Sequence, residues 1–119
     1  MRVNSRSIAR ATASPARVMD RATVRRMEKN ATRACALLGA MSNASRLLVL
    51  CHLAEGEKSV GELEPLIGLS QSALSQHLAV LRGKRLVKTR RIGQSIRYRL
   101  ASDEAIALMH TVHEQFCKC

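Results

Sequence analysis

The chain has 119 residues, with 20 Lys+Arg against 9 Asp+Glu and a formal net charge of +11, which is room for one domain and one core. Hydrophobic residues are 46%, too many for a wholly disordered tail. Aromatics are only 2%, so the core must be aliphatic, and stacked aromatic platforms for single-stranded nucleic acid are excluded. No run approaches ~18 apolar residues, and Arg2, Arg6, Arg10 and Arg17 interrupt any signal-peptide core, so neither a membrane span nor a secreted, disulfide-stapled fold is expected. The charge calls for a polyanion, nucleic acid ahead of anionic membrane.

In chain order, residues 1–20 are rich in Arg, Ser and Ala and show little periodicity, which reads as a basic, disordered arm. Its Arg-rich, nearly acid-free composition also looks superficially like a mitochondrial transit peptide. Residues 21–119 read as one patterned domain. From about residue 21 to Met41, Val24, Met27, Ala31, Ala34, Leu38 and Met41 recur at helical spacing, with Cys35 facing the helix interior. Ser42 or Asn43 can cap a second helix, on which Leu47, Leu50, Cys51 and Ala54 share a face and Gly56 marks the end. Ser59 caps a short third helix carrying Val60, Leu63 and Leu66, and Ser70 caps a fourth with Leu74, Leu78 and Leu81 inward.

After Gly83 the period switches to two. Leu86–Arg91 and Ser95–Leu100, separated at Gly93-Gln94, read as a β-hairpin, and a last helix from Ser102 carries Ala105, Met109, Val112 and Phe116 on one stripe. The order α-α-α-α-β-β-α, mainly helical with a small β-hairpin, is that of a winged helix-turn-helix. The fourth helix suits a DNA major groove, which admits one α-helix. Ser70, Gln71, Ser72, Ser75 and Gln76 are short hydrogen-bonding side chains fit for base edges and phosphates. His77, at the edge of the apolar face, belongs with them in position but suits a packed or capping role better. Residues 82–99 hold eight basic residues and no acid, and from this block Arg90, Arg91, Gln94 and Arg97 would serve the wing as DNA contacts.

Three segments then resemble a family. Leu37-Leu38-Gly39-Ala40-Met41-Ser42-Asn43-Ala44-Ser45-Arg46-Leu47, Gly68-Leu69-Ser70-Gln71-Ser72-Ala73-Leu74-Ser75-Gln76-His77-Leu78 and Arg90-Arg91-Ile92-Gly93-Gln94-Ser95-Ile96-Arg97-Tyr98 are similar to those of the bacterial ArsR/SmtB winged-helix repressors, although Ala44 stands where a Pro is usual. The resemblance covers roughly residues 30–117 and leaves the arm unexplained. It implies a cytoplasmic bacterial homodimer, joined by its first and last helices, that binds double-stranded operator DNA and releases it on a chemical signal. It also removes the transit-peptide reading.

Cys and His placement then separates the family's branches. The metal-sensing Cys-x-Cys of the third helix has no counterpart in Ser59–Glu64. The last-helix zinc pattern lacks its first His at Asp103-Glu104-Ala105, although His110, His113 and Glu114 at i, i+3 and i+4 leave a zinc-responsive repressor as an alternative. The placement of Cys51 on the second helix and Cys117 at the end of the last resembles the dithiol, persulfide- and redox-sensing branch (SqrR/BigR-like). That implies a reactive sulfur species or oxidant as inducer and no bound cofactor. An enzyme is not expected. A thiol oxidoreductase built on Cys117-x-Cys119 has no Cys-x-x-Cys and would leave the DNA-reading parts unused. The acid-free basic block predicts that affinity for duplex DNA falls steeply with salt, with a log–log slope of about −0.9 per neutralised phosphate, readable by titration at several ionic strengths.

Overall fold

The computed structural model describes residues 19–117. Residues 1–18, which hold nearly all of the expected arm, and Lys118 and Cys119 lie outside the described residues. Helix α1 (Arg21–Met41) is capped by Asp20, whose carboxylate accepts from the Thr23 N–H at 2.7 Å. Helix α2 (Ala44–Glu55) starts at Asn43, which accepts from the Arg46 N–H at 3.0 Å, and leaves α1 at 93°. No single described helix is long and apolar enough to cross a membrane. Helix α3 (Val60–Ile67) opens on a capping box in which Ser59 and Glu62 satisfy one another's backbone N–H. Gly68, at φ 79°, turns the chain out of α3 in a left-handed conformation that few other residues tolerate. Ser70 then accepts from the Ala73 N–H at 3.2 Å and starts α4 (Gln71–Gly83).

Strands β2 (Val87–Ile92) and β3 (Ser95–Leu100) form the expected hairpin, with Gly93 at φ 61° supplying the positive φ that a type II′ turn needs at its first central position. The sheet has a third strand. β1 (Lys58–Ser59) pairs antiparallel with β3, Lys58 opposite Tyr98 and Ser59 opposite Arg97, giving the order β1-β3-β2. Two residues carry no alternation to read, and their pairing depends on a strand about forty positions away. Helix α5 (Asp103–Val112), capped by Ser102, runs into a π-helical segment, His113–Cys117.

The core is aliphatic. Val49, Leu50, Leu63, Leu74, Leu78, Leu81 and Leu86 are sealed from solvent, joined by Val87, Ala105 and Met109. Three expectations shift. On α2 the buried set is Val49, Leu50 and Leu53, with Leu47 and Cys51 half-buried and Ala54 exposed, so the helix is rotated relative to the expected face. The stripe of the last helix stops at Val112, because the π-helical segment changes the winding and leaves Phe116 76% exposed. On α1 only Ala40 and Met41 are buried, while Val24, Met27, Leu38 and Cys35 are exposed, since one copy of the chain offers nothing that covers them.

Leu78→Ala removes a fully enclosed side chain and should cost ~2–5 kcal/mol. Ile92→Ala, at an exposed hairpin position, should change stability by less than ~0.5 kcal/mol. Urea unfolding midpoints of the two variants check this contrast.

Candidate functional site

Burial of Leu74, Leu78 and Leu81 turns the opposite side of α4 outward. Ser70, Gln71, Ser72, Ser75 and Gln76 are exposed there, and His77 is half-buried at the boundary. Tyr98 of β3 shares a groove with Ser75, Leu78, Ala79 and Arg82, so the wing lies alongside α4.

Cross-strand partners in the hairpin share a face. Arg90 stands opposite Arg97, Lys88 opposite Arg99, and Arg91 opposite Ile96. Arg91 and Gln94 are exposed. Arg90 and Arg97 are instead tied to an acid that the sequence did not single out. The Arg90 Nε donates to both carboxylate oxygens of Glu57 at 2.9 and 2.8 Å, and the Arg97 Nε donates to the same carboxylate at 3.2 Å. An Arg97 terminal nitrogen reaches the Glu57 backbone oxygen at 3.1 Å, and the other pairs with Glu62 at 2.9 Å. Glu57 is separated from these arginines by 33 and 40 residues, so no local pattern could have announced the contact.

Cys51 is half-buried beside a cleft of about 610 Å³ between α2 and α5, where Leu53, Met109, His110, His113 and Glu57 also lie. Cys117 closes the π-helical segment that follows α5. His110 and His113 thus come together in the cleft. Glu114 is exposed and is not part of its lining. Among the described residues, no three His, Cys, Asp or Glu side chains converge to hold a metal ion. At the far side of α5, Arg33 of α1 is ion-paired with Glu104.

Comparison with known proteins agrees with the winged helix-turn-helix fold. A profile of the bacterial regulatory proteins of the arsR family matches residues 43–89. The transcriptional activator HlyU of Vibrio cholerae is 50% identical over 92 residues, covering 77% of this chain and 85% of that protein. The structure of reduced HlyU from Vibrio cholerae N16961 superposes with a TM-score of 0.75 at 49% identity, covering 78% of this chain and 98% of that one. The transcriptional repressor BigR from Xylella fastidiosa superposes with a TM-score of 0.73 at 44% identity, covering 82% and 99%.

Glu57, Glu62 and Glu104 are held acidic. Hydrogen bonding from Arg90 lowers the Glu57 carboxyl below its ordinary value and in turn raises Arg90, while the Ser59 N–H, followed by the Ser59 hydroxyl and the Arg97 charge, lowers Glu62. Glu104 is lowered by its own backbone N–H and by Arg33. A depressed folded-state value means stabilisation that is complete above the unfolded carboxylate value of about 4.3 and is lost as pH falls through the folded value. Urea midpoints should therefore decline as pH falls below about 4.3, and Glu57→Gln should flatten part of that decline.

Proposed function

This chain belongs to the arsR family of bacterial regulatory proteins, and from that premise we propose that it is a dimeric repressor that senses reactive sulfur or oxidants through Cys51 and Cys117. It is a DNA-binding transcriptional regulator and not an enzyme. In the proposed complex α4 enters the major groove, with Ser70 and Gln71 at its phosphate-facing amino end and Ser72, Ser75 and Gln76 toward base edges. His77 stands at the margin of that contact. Arg91 and Gln94 of the wing, with Arg90 and Arg97 behind them, meet the neighbouring backbone. The exposed stripe Val24, Met27 and Leu38 of α1 supports pairing with a second copy, because apolar side chains set at helical spacing gain by leaving water together. Residues 21–119 form the DNA-binding and dimerising domain in this reading, and the arm 1–20 adds non-specific attraction for DNA.

The observation that carries the sensing part is the setting of Cys51. On α2, it borders the cleft that His110 of α5 and His113 also line, and His113 opens the π-helical segment that Cys117 closes. In the proposed chemistry one thiolate attacks the outer sulfur of an organic persulfide, RS–SH, taking that sulfur and expelling RS⁻. The second thiolate then attacks the protein-bound sulfur of the new persulfide and expels HS⁻. The balance is two protein thiols and one RSSH giving a protein disulfide, RSH and H₂S, and each further sulfur inserted consumes one more RSSH and releases one more RSH. The cross-link ties α2 to the end of α5 and shifts the two recognition helices away from the ~34–36 Å spacing that successive half-sites require.

Persulfide treatment should weaken wild-type DNA binding by ~5–150-fold, the usual range for coupled sites. Cys51→Ser and Cys117→Ser should bind DNA as the untreated protein does and lose that response. Anisotropy titration with labelled duplex, paired with peptide mass spectrometry, measures both. A full response in each single variant rules the scheme out.

A further inference from the structure

We propose that Glu57 is the positioning residue through which the thiol cleft governs the DNA-binding wing. This rests on the thiol-sensing reading above for what happens in the cleft. Its structural part stands on the contacts of Glu57 itself.

Glu57 follows Gly56, the residue that ends α2 by donating its N–H to the Leu53 oxygen at 3.1 Å. Six positions earlier on that helix is Cys51, and both residues line the same cleft. The wing grips Glu57 twice. Its carboxylate, only 19% exposed, receives Arg90 and Arg97, and its backbone oxygen receives Arg97 as well. Any movement of the last turn of α2 therefore moves the acceptors that fix two arginines of the hairpin. Arg97 extends the connection to Glu62, which completes the α3 capping box on the Ser59 N–H at 3.0 Å. The end of α2, the start of the helix-turn-helix and the wing are joined through Arg97, which bridges Glu57 and Glu62.

The bonding pattern also separates positioning from simple neutralisation. Arg90 is held through Nε alone. Neither of its terminal nitrogens bonds to a described residue, and its side chain is 57% exposed. Glu57 thus holds the guanidinium at its inner edge while the outer nitrogens stay available to a phosphate oxygen. A carboxylate acting only as a counter-charge would compete with DNA for Arg90, and its removal would strengthen binding by adding one positive charge. A carboxylate that orients Arg90 and Arg97 does the opposite, because the freed side chains must be ordered again at the DNA surface.

The test uses the full chain as wild type, Glu57→Gln and Glu57→Asp. The DNA is a duplex selected from a random pool by the reduced wild-type protein, together with an unselected duplex of equal length. Binding is titrated before and after treatment with sodium tetrasulfide, and thiol modification is followed by mass spectrometry. Reduced Glu57→Gln should bind the selected duplex roughly tenfold more weakly, with unchanged or stronger binding to the unselected one. Glu57→Asp keeps the charge but shortens the reach. It should also bind the selected duplex more weakly, and it isolates geometry if the Gln variant fails to fold. After tetrasulfide, both variants should gain the same sulfur mass as wild type yet lose less than about twofold in affinity, against the wild-type loss of ~5–150-fold.

Equal or tighter binding of the selected duplex by reduced Glu57→Gln and Glu57→Asp would make Glu57 a counter-charge and overturn the proposal. So would a tetrasulfide response of wild-type size in variants that bind normally. If wild type itself ignores tetrasulfide, sulfur sensing by the thiols is what fails, and the reduced-state comparison still decides whether Glu57 positions the wing.

Discussion

Three leucines of α4, Leu74, Leu78 and Leu81, are sealed from water, and their burial decides which side of that helix can meet anything else. Each contributes on the order of 1.5–3 kcal/mol by leaving water, and with hardly any aromatic side chains in the chain nothing larger can take their place. They pack into one aliphatic cluster with Leu50 of α2, Leu63 of α3 and Met109 of α5. The serines and glutamines of α4 face outward as a consequence. The left-handed Gly68 and the Ser70 cap then fix where the helix begins, and so which residues stand at its amino end.

The wing is built against its own electrostatics. Arg90 lies opposite Arg97 and Lys88 opposite Arg99, and like charges placed directly across a strand pair destabilise it. Glu57 relieves the first pair by accepting from both guanidiniums. No acid does this for Lys88 and Arg99 among the described residues. In the proposed complex a row of phosphates is the anion that would complete the hairpin. Much of the block's charge stays outward and uncompensated, while Arg97 turns inward and joins the wing to the helix-turn-helix.

Legibility in the sequence followed the range of the interactions. Asn43, Ser59, Ser70 and Ser102 act on N–H groups three residues away, so the starts of α2 to α5 were visible in the sequence, Asn43 as one of two candidates with Ser42. The switch from helical to alternating period after Gly83 likewise revealed the hairpin. β1 was invisible because two residues carry no period, and Glu57 was invisible because its partners are distant in the chain. Periodicity overshot at Phe116, since a π-helical segment breaks the 3.6-residue count without any Gly or Pro to mark it. The stripe of α1 was read correctly as helical, but most of it stays exposed. Of the site residues, the outward face of α4 was legible from its complement, the leucines. The cleft beside Cys51 depends on how α2 meets α5, which no local pattern encodes.

In the proposed mechanism, that meeting of helices is what gives a thiol there mechanical reach. Helix α5 buries Ala105 and Met109 against the core, holds Arg33 of α1 through Glu104 on one side, and borders Cys51 on the other. A covalent tie between α2 and the segment beyond α5 would therefore pull on an element that also touches α1. A close-packed interior does not absorb such a pull gradually. It passes the displacement to whichever neighbour is least well anchored. The base of the hairpin is anchored in the core by Val87, with Leu100 packed against it, while farther out Arg90 and Arg97 hold it to Glu57 by exposed or half-buried ion pairs. In the proposed mechanism the outer part of the wing, held by Glu57, is where a change at the cleft reaches the groups that face DNA.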